Sequence, residues 1–417
     1  MRVLLAQNMF FHRTHGGANK SNRIMMEELA ARGHDCHVVA PLSGQLRRCT
    51  VGELLVRLAD RGVRPEAVTD EAVVAEVAGV RAHFVVEPSR LAARVRQVAA
   101  SVRPDWTLVP SDDPGLLMLG TAEHAAPGRV VYLAHTLQQL PFGARAFYPS
   151  EAGTRLLRRA AGVVAVSEAA RRCLMAEAGI PATLIRPHVY GPGPYPRHRG
   201  DAITMVNPSG YKGIAIFLAL ADALPERPFA AVPTWGTTER DRAELSRRPN
   251  VRILEARDDI DEVLAHARMV VMPSLWDETF GYTAVEAMLR GIPVLAADVG
   301  GLAEAKLGVP YLLPVRPIGG YAARQGQERP EPAVLAQDPA PWLAAVRALD
   351  DPAHHSTIAE QSRTAATAFV ASLDSGALET YLRRLTPAAP EPPVRHAGLP
   401  ADGHRLAALA RLLTKER

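Results

Sequence analysis

Short apolar runs alternate along the chain with stretches of helical periodicity. Each run has the length of one strand, and the runs are Val3–Ala6, Cys36–Ala40, Trp106–Val109, Val130–Leu133, Gly162–Val166, Thr183–Ile185, Ile203–Val206, Phe229–Val232, Val251–Leu254, Met269–Met272 and Pro293–Ala296. Strands that alternate with helices form parallel, doubly wound sheets. The pattern therefore predicts an α/β protein with two Rossmann-like halves that face each other across a cleft.

The alternation is interrupted between the two halves. Residues 190–200, YGPGPYPRHRG, are rich in Pro and Gly and predict a hinge. We expect a first domain over 1–190, a second over 191–370, and a helix within 371–385 that packs back on the first domain. Residues 42–105 contain more helix than a minimal half needs, and we expect them to decorate the first domain.

The end of the chain differs from the rest. Residues 386–400, TPAAPEPPVRHAGLP, predict a flexible linker within a tail over 386–417. Beyond it, Leu406, Leu409, Ala410 and Leu413 fall at i, i+3, i+4 and i+7 after a possible N-cap at Asp402. This amphipathic pattern fits a helix docked on its own chain, or one that binds a partner or a second copy.

Composition limits the class of protein. The 417 residues are 47% apolar and 22% charged, as in ordinary globular proteins, and no apolar run is long enough to span a membrane. The N-terminus reads as a first strand, and three scattered cysteines without metal spacing favour a reduced cytoplasm. A net charge of +4 gives no case for nucleic acid but suits an anionic ligand.

Residues 273–301, PSLWDETFGYTAVEAMLRGIPVLAADVGG, are the most informative segment. They place Glu278 on a loop and Glu286 about two turns into a helix, which Gly291 ends before a buried strand. The N-terminus of a helix attracts phosphate, and carboxylates accept hydrogen bonds from hydroxyl groups. The segment therefore predicts a ligand that contains both sugar and phosphate.

Three weaker motifs follow strands at the same edge of each sheet. Gly16 and Gly17 precede a helix that ends near Gly33, and paired glycines let the backbone approach a ligand. Lys212 follows the first strand of the second half, where its ammonium group can reach a diphosphate. His135 follows a strand of the first half, where ligands bind in open α/β sheets.

The chain also contains two aspartate pairs, Asp112-Asp113 and Asp258-Asp259. Neither pair has other metal ligands at a suitable spacing, so we interpret both as solvated loop charges. We expect no metal site.

Together these motifs resemble the retaining glycosyltransferases of the GT-B fold, family 4, with their E-x7-E segment. The similarity spans roughly residues 1–385 and includes residues 163–174, VVAVSEAARRCL. The similarity is to a natural-product branch of the family. It implies a cytoplasmic enzyme that needs no cofactor or metal, with a UDP, GDP or dTDP sugar as donor and a small-molecule acceptor, and no nucleic acid or integral membrane partner.

The resemblance also implies roles for individual residues. Lys212 would neutralise the leaving diphosphate, Glu278 would bind the transferred sugar and His135 would contact it, while Glu286 would bind the donor ribose. The other implied donor contacts are Gly16 and Gly17, the backbone at Phe280, Gly281 and Tyr282, Asn207 after the first strand of the second half, and Arg257 in the base-contacting loop near 255–258.

One departure from the family concerns the diphosphate site. The family often has an arginine five residues before its lysine, where this chain has Asn207. One diphosphate cation is then missing, or it is supplied by Lys20 or by an arginine from a moving loop. Residues 187–191, PHVYG, also replace the family's Asn-Gly-Val-Asp.

The mechanism implied is transfer with retention, in which the diphosphate leaves and the acceptor attacks on the same face of the sugar, and the leaving diphosphate takes the acceptor's proton. Three alternatives stay open: a sugar-nucleotide epimerase, a phosphorylase, and a silent nucleotide-binding partner protein. An oxygen acceptor is the default, and a thiol acceptor that gives an S-glycoside is a lesser alternative.

Overall fold

The structure is a computed structural model that describes residues 1–11, 16–42, 49–257, 259–322 and 330–389. His15 of the glycine motif, Asp258 and the predicted tail helix at Leu406–Leu413 lie outside these ranges. The first domain contains a nine-stranded sheet of order β3-β4-β5-β2-β1-β6-β7-β8-β9. Its strands are β1 (Arg2–Ala6), β2 (Asp35–Pro41), β3 (Pro65–Val68), β4 (Ala72–Val77), β5 (Val80–Val85), β6 (Trp106–Pro110), β7 (Val130–Ala134), β8 (Gly162–Ala165) and β9 (Thr183–Leu184).

Both faces are buried at the central strands of this sheet, which is why β1, β2, β6 and β7 are largely apolar runs, whereas β3 at the edge is exposed. In β1, Val3 and Leu5 belong to one core cluster, whereas Leu4 and Ala6 belong to another on the opposite face. Helices cover the two faces: α1 (Gly17–Ala31), α2 (Val51–Asp60), α3 (Leu91–Val102), α4 (Leu117–Ala125), α5 (Glu151–Leu157) and α6 (Glu168–Ala178).

The second domain contains a six-stranded, all-parallel sheet of order β12-β11-β10-β13-β14-β15. Its strands are β10 (Ala202–Val206), β11 (Phe229–Val232), β12 (Val251–Ile253), β13 (Ala267–Met272), β14 (Val294–Ala297) and β15 (Leu312–Leu313). A two-stranded antiparallel ribbon joins β16 (Tyr321–Ala322) to β17 (Glu331–Pro332). The helices are α7 (Ile214–Ala223), α8 (Glu239–Ser246), α9 (Ile260–Leu264), α10 (Tyr282–Leu289), α11 (Leu302–Ala305), α12 (Ala340–Ala348) and α13 (Pro352–Ala371).

The last helix of the described residues, α14 (Ala377–Arg384), returns to the first domain. Leu378 and Leu382 are buried in a core cluster of that domain, and the Trp106 indole donates to the Leu382 carbonyl at 2.9 Å. The chain enters the core of the second domain at Val189 and Tyr190, just before the Pro- and Gly-rich stretch. A sheet that is parallel except at β3-β4 and β4-β5, and a second sheet that is parallel throughout, thus form the predicted pair of Rossmann-like halves.

Two predictions about the first domain and the tail are wrong in part. The segment 42–105, expected to add helix that decorates the first domain, contains α2 and α3 but also β3, β4 and β5, and β5 continues the sheet by pairing with β2 in parallel. The start of the predicted linker is not free, because the Ala388 amide donates to the Gly128 carbonyl at 2.9 Å.

Candidate active site

The loop between β13 and α10 carries the first glutamate of the informative segment. Gly281 is the N-cap of α10 with φ 113°, and Gly291, with φ 71°, follows its last turn. Glu286 is the fifth residue of this eight-residue helix, so it lies at the start of the second turn and closer to the N-terminus than predicted. Both carboxylates therefore lie near the positive end of the helix dipole.

Lys212 and Glu278 form an ion pair in the second domain. The Lys212 ammonium donates to Glu278 Oε1, and the Ser274 hydroxyl donates to the same oxygen at 2.5 Å. The lysine and glutamate side chains are only 16% and 12% exposed. The ammonium also lies 4.2 Å from the centre of the Trp276 ring and 5.8 Å from that of Trp235, within the range of cation–π attraction.

A glycine explains how these two loops come together. Gly213 has φ 77°, and a Cβ atom at this position would lie 1.9 Å from the carbonyl oxygen of Pro273. Only glycine permits that approach. The Leu275 amide donates to the Tyr211 carbonyl at 2.9 Å, so the Lys212 and Glu278 loops are held in register by their backbones.

Glu286 forms a second ion pair, and its partner comes from the first domain. Lys20, the fourth residue of α1, places its ammonium 2.7 Å from Glu286 Oε1. The side chains are 27% and 9% exposed. The carboxylate expected to bind a ribose thus holds a cation delivered across the cleft.

Further contacts join the two domains beside these pairs. The Gln138 side-chain amide donates to the backbone carbonyl of Asp277 at 2.9 Å, and the Asp277 carboxylate forms an ion pair with Arg145 at 2.9 Å. The backbone amide of Glu168, in the first domain, donates to the Glu304 carboxylate at 2.8 Å. The two domains are therefore in a closed arrangement.

An aromatic cluster forms another part of this interface. Phe147 of the first domain meets Tyr321 edge to face, with ring centres 4.7 Å apart. The same phenylalanine lies against Tyr211 and Trp276, with ring centres 6.2 and 6.5 Å away. The cluster therefore encloses the side of the cleft next to Lys212.

His135 follows the last residue of β7 and is buried. Neither ring nitrogen has a hydrogen-bond partner among the residues that the structure describes, while its backbone amide donates to the Ser111 hydroxyl at 3.0 Å. Burial lowers the pKa of His135 to about 4. The imidazole is therefore neutral near pH 7 and has both an unused donor and an unused acceptor.

The remaining glycine and aromatic positions lie where α1 meets α10. Gly16 has φ 100° and Gly17 is the first residue of α1, close against the ring of Tyr282. Phe280 is buried in the core of the second domain, 5.7 Å from Phe369 between ring centres. Its ring is thus a packing group, which leaves its backbone as the part suited to a ligand.

Asn207 and Arg257 are placed differently from each other. Asn207 is buried at the end of β10 with φ 61°, and its side-chain oxygen accepts the Gly236 amide at 2.9 Å. It therefore holds the loop after β11 and provides no cation. Arg257 is half-exposed, and its ion-pair partners within the described ranges are Glu255 at 3.0 Å and Glu262 at 3.6 Å.

The aspartates of the two pairs, Asp112-Asp113 and Asp258-Asp259, were expected to be solvated, but at least one of them is buried. Asp113 is buried, and its carboxylate accepts the Met118 amide at 2.7 Å near the N-terminus of α4, so that prediction was wrong for this residue. Asp259 is the N-cap of α9 and accepts the Asp261 amide at 2.9 Å. Over the part of the chain that the structure describes, no group of His, Cys, Asp and Glu could hold a metal ion.

Several residues of the site were not predicted. Trp276 and Ser274 lie within the informative segment itself, whereas Trp235 and Phe147 lie on loops without a motif. The sequence did carry one signal for the cation–π contact. Trp276 lies in a predicted loop, two residues before Glu278, at the site where Lys212 was expected.

The two facing α/β domains and the cleft between them define a GT-B protein. Residues 15–193 match the family model described as Glycosyltransferase Family 4, and residues 203–323 match that described as Glycosyl transferases group 1. The chain therefore belongs to the GT4-like glycosyltransferases of the GT-B fold.

Solved structures share this architecture over nearly the whole chain. Anabaena HepE in complex with UDP-glucose superposes with a TM-score of 0.60 at 18% identity, covering 92% of this chain and 98% of that one. Sucrose-phosphate synthase from Thermosynechococcus elongatus gives a TM-score of 0.65 at 15% identity, with the same coverage of 92% and 98%. At these identities the similarity shows the fold alone.

Curated relatives match over shorter segments. UDP-GlcNAc:ribostamycin N-acetylglucosaminyltransferase of Streptomyces fradiae is 32% identical over 109 residues, which are 23% of this chain and 30% of the relative. D-inositol 3-phosphate glycosyltransferase of Mycolicibacterium vanbaalenii is 45% identical over 65 residues, 15% of this chain and 14% of the relative. These matches span less than a third of either relative. No helix in the described ranges has the length and apolar character needed to cross a membrane.

Proposed function

We propose that this chain is a retaining, metal-independent glycosyltransferase that moves a sugar from a UDP, GDP or dTDP sugar to a small-molecule acceptor. The observation that carries the proposal is the Lys212–Glu278 ion pair at the N-terminal end of α10, with Glu286 one turn further on. This arrangement offers a cation and helix amides to a diphosphate, and carboxylates to the hydroxyl groups of a sugar and a ribose.

In the proposed reaction the bond between the anomeric carbon and the donor phosphate oxygen breaks as the acceptor oxygen attacks from the same face. The acceptor proton passes to the departing phosphate oxygen, so the products are the glycoside and a nucleoside diphosphate. Lys212 stabilises the negative charge that develops on the leaving group. No protein nucleophile takes part in this scheme.

His135 is proposed to position the transferred sugar. Its neutral ring has one nitrogen that donates and one that accepts, which matches a sugar hydroxyl in either role. A buried ring without a partner is costly unless a ligand satisfies it. The unpartnered nitrogens support this assignment.

The proposed acceptor is a natural product or another small metabolite. The Streptomyces fradiae relative, whose printed activity concerns ribostamycin, supports the antibiotic-related branch. We also propose that the enzyme acts in the cytoplasm, as the family resemblance implies.

The first experiment is a thermal-shift screen with UDP, GDP, dTDP and their common sugar conjugates. Bound ligand raises stability by RT ln(1 + [L]/Kd), so the correct nucleotide gives the largest shift. Transfer to ribostamycin-like and inositol-like acceptors is then followed with EDTA present, and the anomeric configuration of the product is read by NMR. An inverted product, or a rate abolished by EDTA and restored by a divalent cation, contradicts the proposal.

Lys212→Met tests the leaving-group role. We expect turnover to fall about a hundredfold or more, because one charge-stabilising donor is lost in the transition state. Arg247→Met removes an exposed cation of the same domain that pairs with Glu244, and serves as the matched control. Near-normal turnover in Lys212→Met would remove this residue from the mechanism. Sugar interconversion without acceptor would indicate an epimerase, and nucleotide binding without turnover a silent partner protein.

A further inference from the structure

We infer that Lys20 is the second cation for the donor diphosphate, supplied by the first domain and held on Glu286 until the nucleotide binds. The inference rests on the proposed function and names a donor-binding residue for it. Lys20 and an arginine from a moving loop were the two candidates for this cation. Four features of the structure favour Lys20.

The first feature is the neutral position in the second domain. Asn207 lies where the family often has an arginine, and its buried side chain is committed to the Gly236 amide. A Cβ atom on Gly236 would lie 2.8 Å from the Asn207 side-chain oxygen, so this loop is packed closely on the asparagine. The second domain therefore fills this position with a neutral, structural side chain.

The second feature is the contact between the starts of α1 and α10. Gly17, the first residue of α1, lies directly against the Tyr282 ring, and Tyr282 is the first residue of α10. Lys20 is three residues after Gly17, so both occupy one face of α1. That face meets the helix end where a diphosphate would bind.

The third feature is that the cation is already bonded across the cleft. Lys20 Nζ lies 2.7 Å from Glu286 Oε1, and the carboxylate is only 9% exposed. A lysine side chain has four methylene groups, so the ammonium can move by several ångströms while α1 stays in place. Lys20 can therefore leave Glu286 for a phosphate oxygen without any change of fold.

The fourth feature is the balance of charge. The two carboxylates of the E-x7-E segment each hold one lysine, Glu278 with Lys212 and Glu286 with Lys20. When a nucleoside diphosphate sugar binds, both ammonium groups exchange a carboxylate for phosphate oxygens, and both carboxylates accept hydroxyl groups instead. Each charged group then keeps a charge-assisted partner before and after binding.

A Lys20 that binds the diphosphate and a Lys20 that only holds Glu286 in place differ in how they affect nucleotide binding. The Lys20 contribution depends on the outer phosphate of the nucleotide, because the ammonium moves toward the diphosphate and away from the ribose. Removal of the Lys20 charge should therefore weaken the binding of a nucleoside diphosphate more than the binding of the matching monophosphate. Lost packing or a displaced Glu286 would weaken both alike.

The test is isothermal titration calorimetry of the full chain with UDP, GDP and dTDP and with UMP, GMP and dTMP. For Lys20→Met we expect the Kd of the preferred diphosphate to rise at least about tenfold, since one charge-assisted bond is lost. The Kd of the monophosphate should change by less than about threefold, and Lys20→Arg should retain most of the diphosphate affinity. Arg23→Met is the matched control, because Arg23 lies on the same helix and pairs with Glu27 of that helix at 3.3 Å.

The outcomes separate the two proposals. If the unaltered chain binds none of the diphosphates, the proposed function itself is contradicted. If it binds one and Lys20→Met binds it equally well, Lys20 is not the second cation, although the proposed function stands. Equal losses for diphosphate and monophosphate would also overturn the inference, since they would assign Lys20 to holding Glu286 in place.

Discussion

Gly17→Ala is predicted to block the closed arrangement of the two domains. A Cβ atom at position 17 would lie 2.5 Å from Tyr282 Cδ2 and 3.0 Å from its Cε2. Because carbon atoms normally approach to about 3.5–4.0 Å, α1 or the ring must withdraw by about 1 Å. The ring cannot withdraw freely, since Phe280 and Tyr190 lie against it with ring centres at 5.5 and 6.3 Å.

The expected magnitude follows from that displacement. Overpacking of this size costs about 1–3 kcal/mol, and a misplacement of about 1 Å at a reacting centre costs about a hundredfold in rate. Lys20 lies only one helical turn after Gly17, so the Lys20–Glu286 bond would lengthen as α1 withdraws from Tyr282. The substitution does not weaken α1, because alanine favours a helix over glycine by about 1 kcal/mol. A loss of turnover would therefore report on closure and not on the stability of the helix.

The assay compares steady-state transfer rates with the radius of gyration measured by small-angle scattering, each with and without nucleotide. We expect Gly17→Ala to fall about a hundredfold in turnover and to stay more open than the unaltered chain. Gly52→Ala in α2 is the control, because its new Cβ atom would have only an ordinary contact, 3.9 Å from the Thr50 hydroxyl. Turnover of Gly17→Ala within about threefold of the unaltered chain would refute the reasoning.

Two further predictions concern buried titratable groups. The pKa of His135 is lowered by burial from 6.5 to about 4, so the unfolded chain binds the proton first and stability falls as the pH drops from 6.5 toward 4, by up to about 3 kcal/mol. His135→Gln should show a shallower fall in urea unfolding over this range, and identical curves would contradict the assignment. The pKa of Lys306 is lowered from 10.5 to about 7 by burial, and its ammonium donates to the Val294 carbonyl at 2.5 Å. The unfolded chain again binds the proton more tightly, so stability should rise between pH 7 and 10.5, and Lys306→Met should lack that rise in the same assay.

The central strands of the two sheets were predictable because they are short apolar runs that are largely buried on both faces. The helix α1 was predictable for a similar reason, since its apolar period ends at Arg32 and Gly33 has φ 82°. In contrast, β3, β4 and β5 were missed. The residues of β4 and β5, AVVAEV and VRAHFV, fit a helix or a strand in isolation, and the pairing of β5 with β2 and of β4 with β5 decides between them.

The chemistry of the site was predictable to a smaller extent. Glu278 and Lys212 were proposed for one site, and the structure pairs them directly. The Lys20–Glu286 pair joins residues 266 positions apart, and its existence depends on how the domains pack. The hydrogen bond from the Met118 amide to the Asp113 carboxylate depends on the position of one residue relative to the start of α4. Such contacts are set by tertiary packing, which local sequence patterns do not specify.

The two ion pairs constrain which ligand can occupy the site of the proposed enzyme. All four side chains have low exposure, so a ligand that separates a pair must supply a new partner to each member. A free sugar offers hydroxyl groups to Glu278 and Glu286 but leaves both ammonium groups without an anion. Pyrophosphate satisfies Lys20 and Lys212 but leaves both carboxylates without donors. A nucleoside diphosphate sugar alone among these satisfies all four groups, so its affinity should exceed what either fragment achieves separately. Selectivity for the intact donor then follows from the cost of an unpaired buried charge and requires no additional residue.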